Sequence, residues 1–184
     1  EVPFGNDGDF SKDAIADRVN ADLSNNFGNL IQRISSFIVK NSDSVVNKPK
    51  EFNKDDLILL RQYEEAFNKY LTNMNSYLID KALKNIFEFL SLVNTYVDNQ
   101  APWSLKKTDP DRMNSIIYII LEQIKNISIL LRPIMPVSTD KVLNTLNIDI
   151  KDRTIENIHK KETFNHNLEL KNSEILFNKI ENDN

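Results

Sequence analysis

Three side chains in this sequence have the chemistry to read another molecule. Asn29 and Arg33 are four residues apart. On a helix that spacing is one turn, with roughly 6 Å between the side-chain bases. The Asn amide offers a donor beside an acceptor, and the Arg guanidinium offers a planar fork of donors. Trp103, the single tryptophan of the chain, closes the triplet Ala101-Pro102-Trp103. Its proline stiffens the loop and lowers the ordering cost of presenting an exposed ring. An aromatic face plus directional edge-reading groups is what recognition of unpaired bases requires. By residue type alone, Asn29 and Arg33 more often describe an ordinary solvated helix face, and Trp103 a loop tryptophan that completes a core.

Other polar residues gather around these three. Asn94 shares a helical face with Leu90 and Val97 and is expected to be a buried structural amide that braces the Ala101-Pro102-Trp103 loop. Asn26 and Gln32 lie near the face of Asn29 and Arg33. Lys106, Lys107 and Arg112 follow the tryptophan and read either as phosphate contacts or as a solvated basic cluster. His159 and His166 have no carboxylate or cysteine partner at ligand spacing, so metal ligation is not expected of them. With no cysteine there is no disulfide, thiolate nucleophile or Cys-based zinc site in this sequence.

The elements that must position these groups are helices. Only three glycines occur in 184 residues, and long stretches lack both glycine and proline, which removes the punctuation of β-turns. Ser11 caps a first amphipathic helix that runs to about Lys40, with Ile15, Val19, Leu23, Phe27, Leu30, Ile34, Phe37 and Ile38 on one stripe. Residues Asn41 to Asn53 read as a loop. A second helix, capped by Asn53 or Asp55, turns Leu57, Leu60, Phe67, Leu71 and Met74 inward. A third starts near Asn75-Ser76 with Ile79, Leu83, Ile86, Leu90, Val93 and Val97 as its core face, and it ends before Pro102. Asp109-Pro110 opens a fourth, whose run Ile116 to Leu121 is apolar on all sides. Such a helix is buried by neighbours on several faces or docks to another body. Residues Arg132 to Pro136 stop it, and Ser138 to Leu146 form a short fifth helix. Beyond Ile150 the isolated stretches Thr154 to Ile158 and Glu174 to Ile180 are expected to pack against other structure, the second of them preferably against a neighbouring domain. The fold class is all-α, an antiparallel bundle of about five helices with a short irregular C-terminal tail.

Hydrophobic residues make up 40% and charged residues 27% of the chain, the composition of a folded soluble protein. A net charge of −4 argues against coating nucleic acid through the overall field, but leaves room for a localised surface that reads RNA. No apolar run reads as a membrane span and no secretory leader is visible. A cytoplasmic protein without a membrane or DNA partner is the expectation. The chain opens on Glu1 and not on methionine, which reads as a piece lacking its N-terminal part, whereas Asn182-Asp183-Asn184 resembles a natural end.

Four stretches, in order, resemble methionyl-tRNA synthetases of the bacterial kind. The first is Val2-Pro3-Phe4-Gly5 with Asp7 to Ser11, similar to the family's passage from catalytic core to helical domain. The second is RVNADLSNNFGNLIQR, Arg18 to Arg33, similar to the first helix of its anticodon-binding bundle. The third is Asn94-Thr95-Tyr96 followed by Gln100-Ala101-Pro102-Trp103. The fourth is Leu131-Arg132-Pro133-Ile134-Met135-Pro136, with Ile134 where the family usually has Phe. The resemblance implies the anticodon-binding domain of a class I synthetase. Residues 1–10 would end the connection from the catalytic core, 11–150 would form the helical domain and 151–184 the tail. It further implies that Asn29 and Arg33 contact the CAU anticodon of methionine tRNA and that Trp103 stacks on its first base, with Pro102 and Asn94 in support.

The family's ATP-handling signatures, of the His-Ile-Gly-His and Lys-Met-Ser-Lys-Ser type, occur nowhere in this chain. ATP, and zinc where the family carries it, would belong to the catalytic domain of the same polypeptide, the expected partner besides the tRNA. No catalytic residue, metal or cofactor is expected here. Two other readings fit the residues: a helical protein-interaction scaffold, and the anticodon domain of another class I synthetase.

Overall fold

A computed structural model describes residues 5–8, 11–41, 49–159 and 176–181. His166, Ile175, the opening Val2-Pro3-Phe4 with Asp9 and Phe10, and the terminal Asn182-Asp183-Asn184 lie outside the described residues. Among the described residues every regular element is a helix, and there is no strand. The expected all-α bundle of five rods is what forms.

The first rod is helical from Lys12 to Lys40, but it is not one α-helix. Helix α1 (Lys12–Arg18) passes into a π-helical stretch, Val19–Gly28, and then into α2 (Asn29–Lys40). Ser11 caps α1 by accepting the Ala14 N–H at 3.2 Å. In the π stretch the N–H bonds reach one residue further back, as in Asn29 N–H to the Ser24 carbonyl. The stretch is rich in Asn, Asp and Ser, whose side chains compete with the backbone and weaken α-helical preference. The wider turn rotates the stripe. Ile15, expected inward, is 43% exposed, whereas Phe27, Leu30, Ile34 and Ile38 are buried as expected, joined by Ile31 and Ser35.

Helix α3 (Lys54–Asn75) starts with a reciprocal capping box. Asn53 accepts the Asp56 N–H and Asp56 accepts the Asn53 N–H, both at 2.9 Å. Its inner face is Asp56, Leu59, Tyr63, Ala66, Phe67 and Tyr70. Of the expected face Phe67 is buried and Leu71 and Met74 pack against the core, but Leu57 is 55% exposed. A carboxylate and two phenols displace aliphatic residues because some find buried partners, such as the Leu130 carbonyl that accepts from the Tyr70 hydroxyl at 2.7 Å. Helix α4 (Ile79–Gln100) lies against α3 and buries Ile86, Leu90, Val93 and Val97 as expected.

Helix α5 (Pro110–Leu131) is the central rod, and Ile116 to Leu121 are all buried. By length and composition alone it could cross a membrane, contrary to the reading that no run does so. However, 83% of its most apolar window is buried inside the bundle, so neighbouring helices account for its apolar faces. Helix α6 (Pro136–Thr145) begins two residues before the expected Ser138, the usual uncertainty of a helix end. The core continues beyond it through Leu146, Ile148 and Ile158. There Arg153, 6% exposed, donates to the Ile148 carbonyl and to Asp140, which also accepts from Arg132.

The last described segment, residues 176–181, returns to the first rod. Leu176 and Phe177 pack against the core, and the Phe177 ring lies 6.3 Å from that of Phe27. The Asn20 amide donates to the Ile180 carbonyl at 2.9 Å and accepts the Ile180 N–H at 2.8 Å. This reverses the expectation that the stretch prefers a neighbouring domain. The apolar surface of Phe27 and the unspent amide of Asn20 provide a docking site within the chain itself.

Candidate nucleic-acid interface

The π stretch delivers its last turn to α2, and so it sets which way Asn29 and Arg33 point. Asn29 is exposed. One turn on, Arg33 reaches α4, where its Nη2 donates to Asp98 Oδ1 at 2.6 Å. Its guanidinium carbon lies 5.3 Å from the centroid of the Trp103 ring. Both contacts are weak. With side-chain exposures of 31% and 60%, the ion pair is worth under about 1 kcal/mol. An exposed cation–π contact contributes about 0.5–1 kcal/mol. A base stacking on tryptophan is worth about 1–3 kcal/mol, enough to rearrange them.

Trp103 leaves the end of α4 on a sharp turn. Ala101 adopts the left-handed conformation, φ 39° and ψ 59°, and the buried Pro102 opens a 3₁₀ turn, Pro102–Ser104. Trp103 as a whole stays 44% exposed, so it does not complete the core. The structure thus brings Arg33 and Trp103 together, with Asn29 one turn from Arg33.

The other expected residues divide. Asn94 is half-buried, but its amide donates to Asn26 Oδ1 at 2.6 Å and to the Leu90 carbonyl at 3.3 Å. The bond to Asn26 therefore ties α4 to the π stretch in place of the expected brace to the tryptophan loop. Asn26 in turn donates to Ser91 Oγ at 3.1 Å. Ser91, Asn94 and Asp98 thus form a polar seam along α4, at the three- and four-residue steps of one helical face. Gln32, Lys106 and Lys107 are exposed.

Arg112 is not a phosphate contact in waiting. Its guanidinium grips Asp56 with two bonds, 2.7 and 2.8 Å, and donates to Gln100 Oε1 at 2.7 Å. Tyr96 donates to the same carboxylate at 2.6 Å, and Gln100 donates to Asp55 at 3.0 Å. Burial alone would push the Asp56 carboxyl up. The bonds from Arg112, Tyr96 and the Asn53 N–H outweigh it and hold the group below the usual carboxylate range. Burial and the adjacent carboxylate push the Tyr96 phenol up.

His159 sits edge-on to Phe67 at 5.0 Å between ring centroids, with Glu64 3.9 Å away. Among the described residues no three His, Cys, Asp or Glu side chains gather as a metal site would need. Asp98, Asp56 and Gln100 were missed by sequence reasoning. The Asn53-x-x-Asp56 spacing is a readable capping signal, but nothing marks Asp98, a charged residue on the flank of an apolar stripe.

Comparison with known proteins fits this geometry. Residues 46–184 match the family described as the anticodon-binding domain of methionyl-tRNA ligase. The chain is 35% identical over 184 residues to a methionine–tRNA ligase of Rickettsia conorii, covering 98% of this chain and 36% of that protein. It is 37% identical over 158 residues to the Brucella suis methionine–tRNA ligase, covering 86% of this chain and 31% of that one. The crystal structure of the free-state methionyl-tRNA synthetase of Mycobacterium tuberculosis superposes with a TM-score of 0.91 at 30% identity, over all of this chain and 37% of that one. The chain thus spans about a third of the length of the relatives it matches. It belongs to the family of methionyl-tRNA ligase anticodon-binding domains.

Proposed function

We propose that this chain reads the CAU anticodon of methionine tRNA as part of a cytoplasmic methionine–tRNA ligase. A catalytic domain of the same polypeptide would attach methionine using ATP. In this reading Trp103 is the platform for the first anticodon base, while Asn29 and Arg33 bond base edges. The observation that carries it is the ring of the half-exposed Trp103 held beside the Arg33 fork, 5.3 Å from guanidinium carbon to ring centroid. Those are the stacking and directional groups that recognition of an unpaired base needs. The net charge of −4 fits recognition by local contacts more than by field.

Trp103 is also the probe, because the chain has one tryptophan. Hairpins with the anticodon CAU, single-base changes of it, or an unrelated loop are titrated into the chain. The CAU hairpin should quench the emission saturably, the changed hairpins should do so weakly, and the affinity should fall with salt. Emission that ignores every hairpin would favour a helical scaffold and sink the reading. Preference for another anticodon would move the chain's specificity away from methionine tRNA.

A further inference from the structure

We propose that Gln100, Arg112 and Asp56 are positioning residues for the anticodon-reading tryptophan, closing the base of its loop onto α3. The proposal rests on the reading of Trp103 given above. The loop leaves α4 at Gln100 and re-enters helix at Pro110, and its turn is costly to hold. Ala101 is a non-glycine residue with φ 39°, directly before a proline that disfavours such backbone. Within the loop the bonds are short-range. The Ser104 N–H and hydroxyl both donate to the Ala101 carbonyl, at 2.9 and 2.8 Å, and the Leu105 N–H donates to the Pro102 carbonyl at 3.1 Å. These shape the turn without fixing where it sits relative to α2 and Arg33.

Pro102 is buried and Leu105 packs against the core, which seats the middle of the loop on the bundle, and the loop's two ends add a polar tie. Arg112 donates across the base to Gln100 Oε1 at 2.7 Å, so the residues flanking the loop are joined directly. The joined ends are then bound to the start of α3: Arg112 to the fully buried Asp56, and Gln100 to Asp55. One guanidinium therefore meets both the loop base and the third helix. A planar fork holds the carboxylate bidentately while a further N–H reaches Gln100, a geometry that a lysine ammonium does not reproduce. A buried ion pair of this kind is a poor stabiliser compared with packed apolar residues, so its presence behind the loop is better explained by the geometry it enforces. Trp103 is three residues from Gln100, and any tilt of the loop base moves its ring relative to Arg33.

Two variants in the full 184-residue chain test this. Gln100→Ala removes the bond across the base from a partly exposed position and leaves the Arg112–Asp56 pair. Arg112→Lys keeps the charge beside Asp56 but loses the planar fork that grips Asp56 bidentately and reaches Gln100. Arg153→Lys, in the separate Asp140 cluster, is the control for general loosening. Emission maximum and acrylamide quenching of Trp103 are read first without RNA, then affinity for the CAU hairpin, then melting temperature. Both loop variants should red-shift the emission and raise its quenching. They should also weaken the hairpin by roughly three- to tenfold, less than the direct loss of a charge-assisted bond to the RNA, since the effect reaches it only through the ring. The control should leave emission and affinity unchanged at a matched loss of melting temperature. Unaltered emission in both loop variants, or an equal shift in the control, would overturn the positioning role. Altered emission with unaltered hairpin affinity would support positioning and count instead against Trp103 as the reader of the anticodon.

Discussion

Arg33 lies over Trp103, 5.3 Å from guanidinium carbon to ring centroid, while its Nη2 is held by Asp98 at 2.6 Å. The two groups best suited to read a base are therefore in contact with each other before any base arrives. Mutual contact keeps a long side chain and an exposed ring ordered, and less entropy is then lost on binding. A base stacking on Trp103, as proposed, would have to share the ring with Arg33 or move it aside. Both contacts are weak enough for that.

Loss of the ring should be felt in binding and not in folding. Trp103→Ala should weaken the CAU hairpin by about 1–3 kcal/mol, or roughly ten- to over a hundredfold at 1.4 kcal/mol per decade. Trp103→Phe should retain part of the affinity through its smaller π-face. Trp103 as a whole is 44% exposed, so the melting temperature should stay near that of the parent. In the whole ligase, charging of tRNA should fall while ATP–pyrophosphate exchange is kept. Charging that survives, or that falls only in step with unfolding, removes Trp103 from the reading role.

Arg33→Lys separates charge from shape. Lysine keeps the attraction to phosphate but loses the planar fork that bonds a base edge and lies over an indole. The gap in affinity between CAU and single-base variants should narrow, while affinity for the hairpins as a group changes by no more than a few-fold. The measurement is a titration of each hairpin at fixed salt. If the lysine variant discriminates as the parent does, the fork is not what reads the base.

The architecture was legible because aliphatic periodicity carries it. Ile86, Leu90, Val93 and Val97 of α4 and the apolar run of α5 are buried as their spacing predicts. The reading failed where the inner face is polar. Asp56, Tyr63 and Tyr70 hold the inside of α3 in place of Leu57, and hydropathy does not register a carboxylate neutralised by an arginine 56 residues away. It failed again at Val19–Gly28, since a π-helical register is a property of backbone bonds that no residue spacing announces. Of the candidate site, the family resemblance singled out Asn29, Arg33 and Trp103, whose residue types alone describe a solvated face and a loop tryptophan. The partner Asp98 was invisible because its role exists only once α2 and α4 are side by side.

The C-terminal segment should contribute to the stability of the chain. Deleting residues from 176 onward removes the Phe177 ring from Phe27 and both Asn20–Ile180 bonds. Phe177 is half-buried, so Phe177→Ala should cost less than the 3–5 kcal/mol of a fully buried ring, about 1–3 kcal/mol. For a chain of this length that is a fall of roughly 3–10 °C in melting temperature. An unchanged melting curve after truncation would mean that the segment does not hold to the first rod in solution.

Acid should unfold the chain through the carboxylates that cations hold. Asp56 lies below the usual carboxylate range, because bonds from Arg112, Tyr96 and the Asn53 N–H overcome its burial. Asp140 is lowered by the bond from Arg132, against a smaller opposing effect of burial, with Arg153 adding to the lowering. A depressed folded value means that the unfolded chain takes up protons first as the pH falls. The stabilisation is complete above the unfolded value, near 3.9 for Asp, and is lost as the pH drops through the folded one. Melting temperature should therefore be level from neutral pH to about 5 and fall steeply below about 4. Asp56→Asn leaves Arg112 without its counter-charge and should cost about 3 kcal/mol at neutral pH. It should also flatten the acid limb, since its own proton uptake is gone. Asp140 is about a third exposed (32%), so Asp140→Asn should change both the neutral stability and the acid slope less. Melting curves of the three proteins between pH 3 and 7 decide the matter. An acid limb equally steep in the parent and in Asp56→Asn would mean that other carboxylates carry the transition and that the α3–α5 ion pair does not govern it.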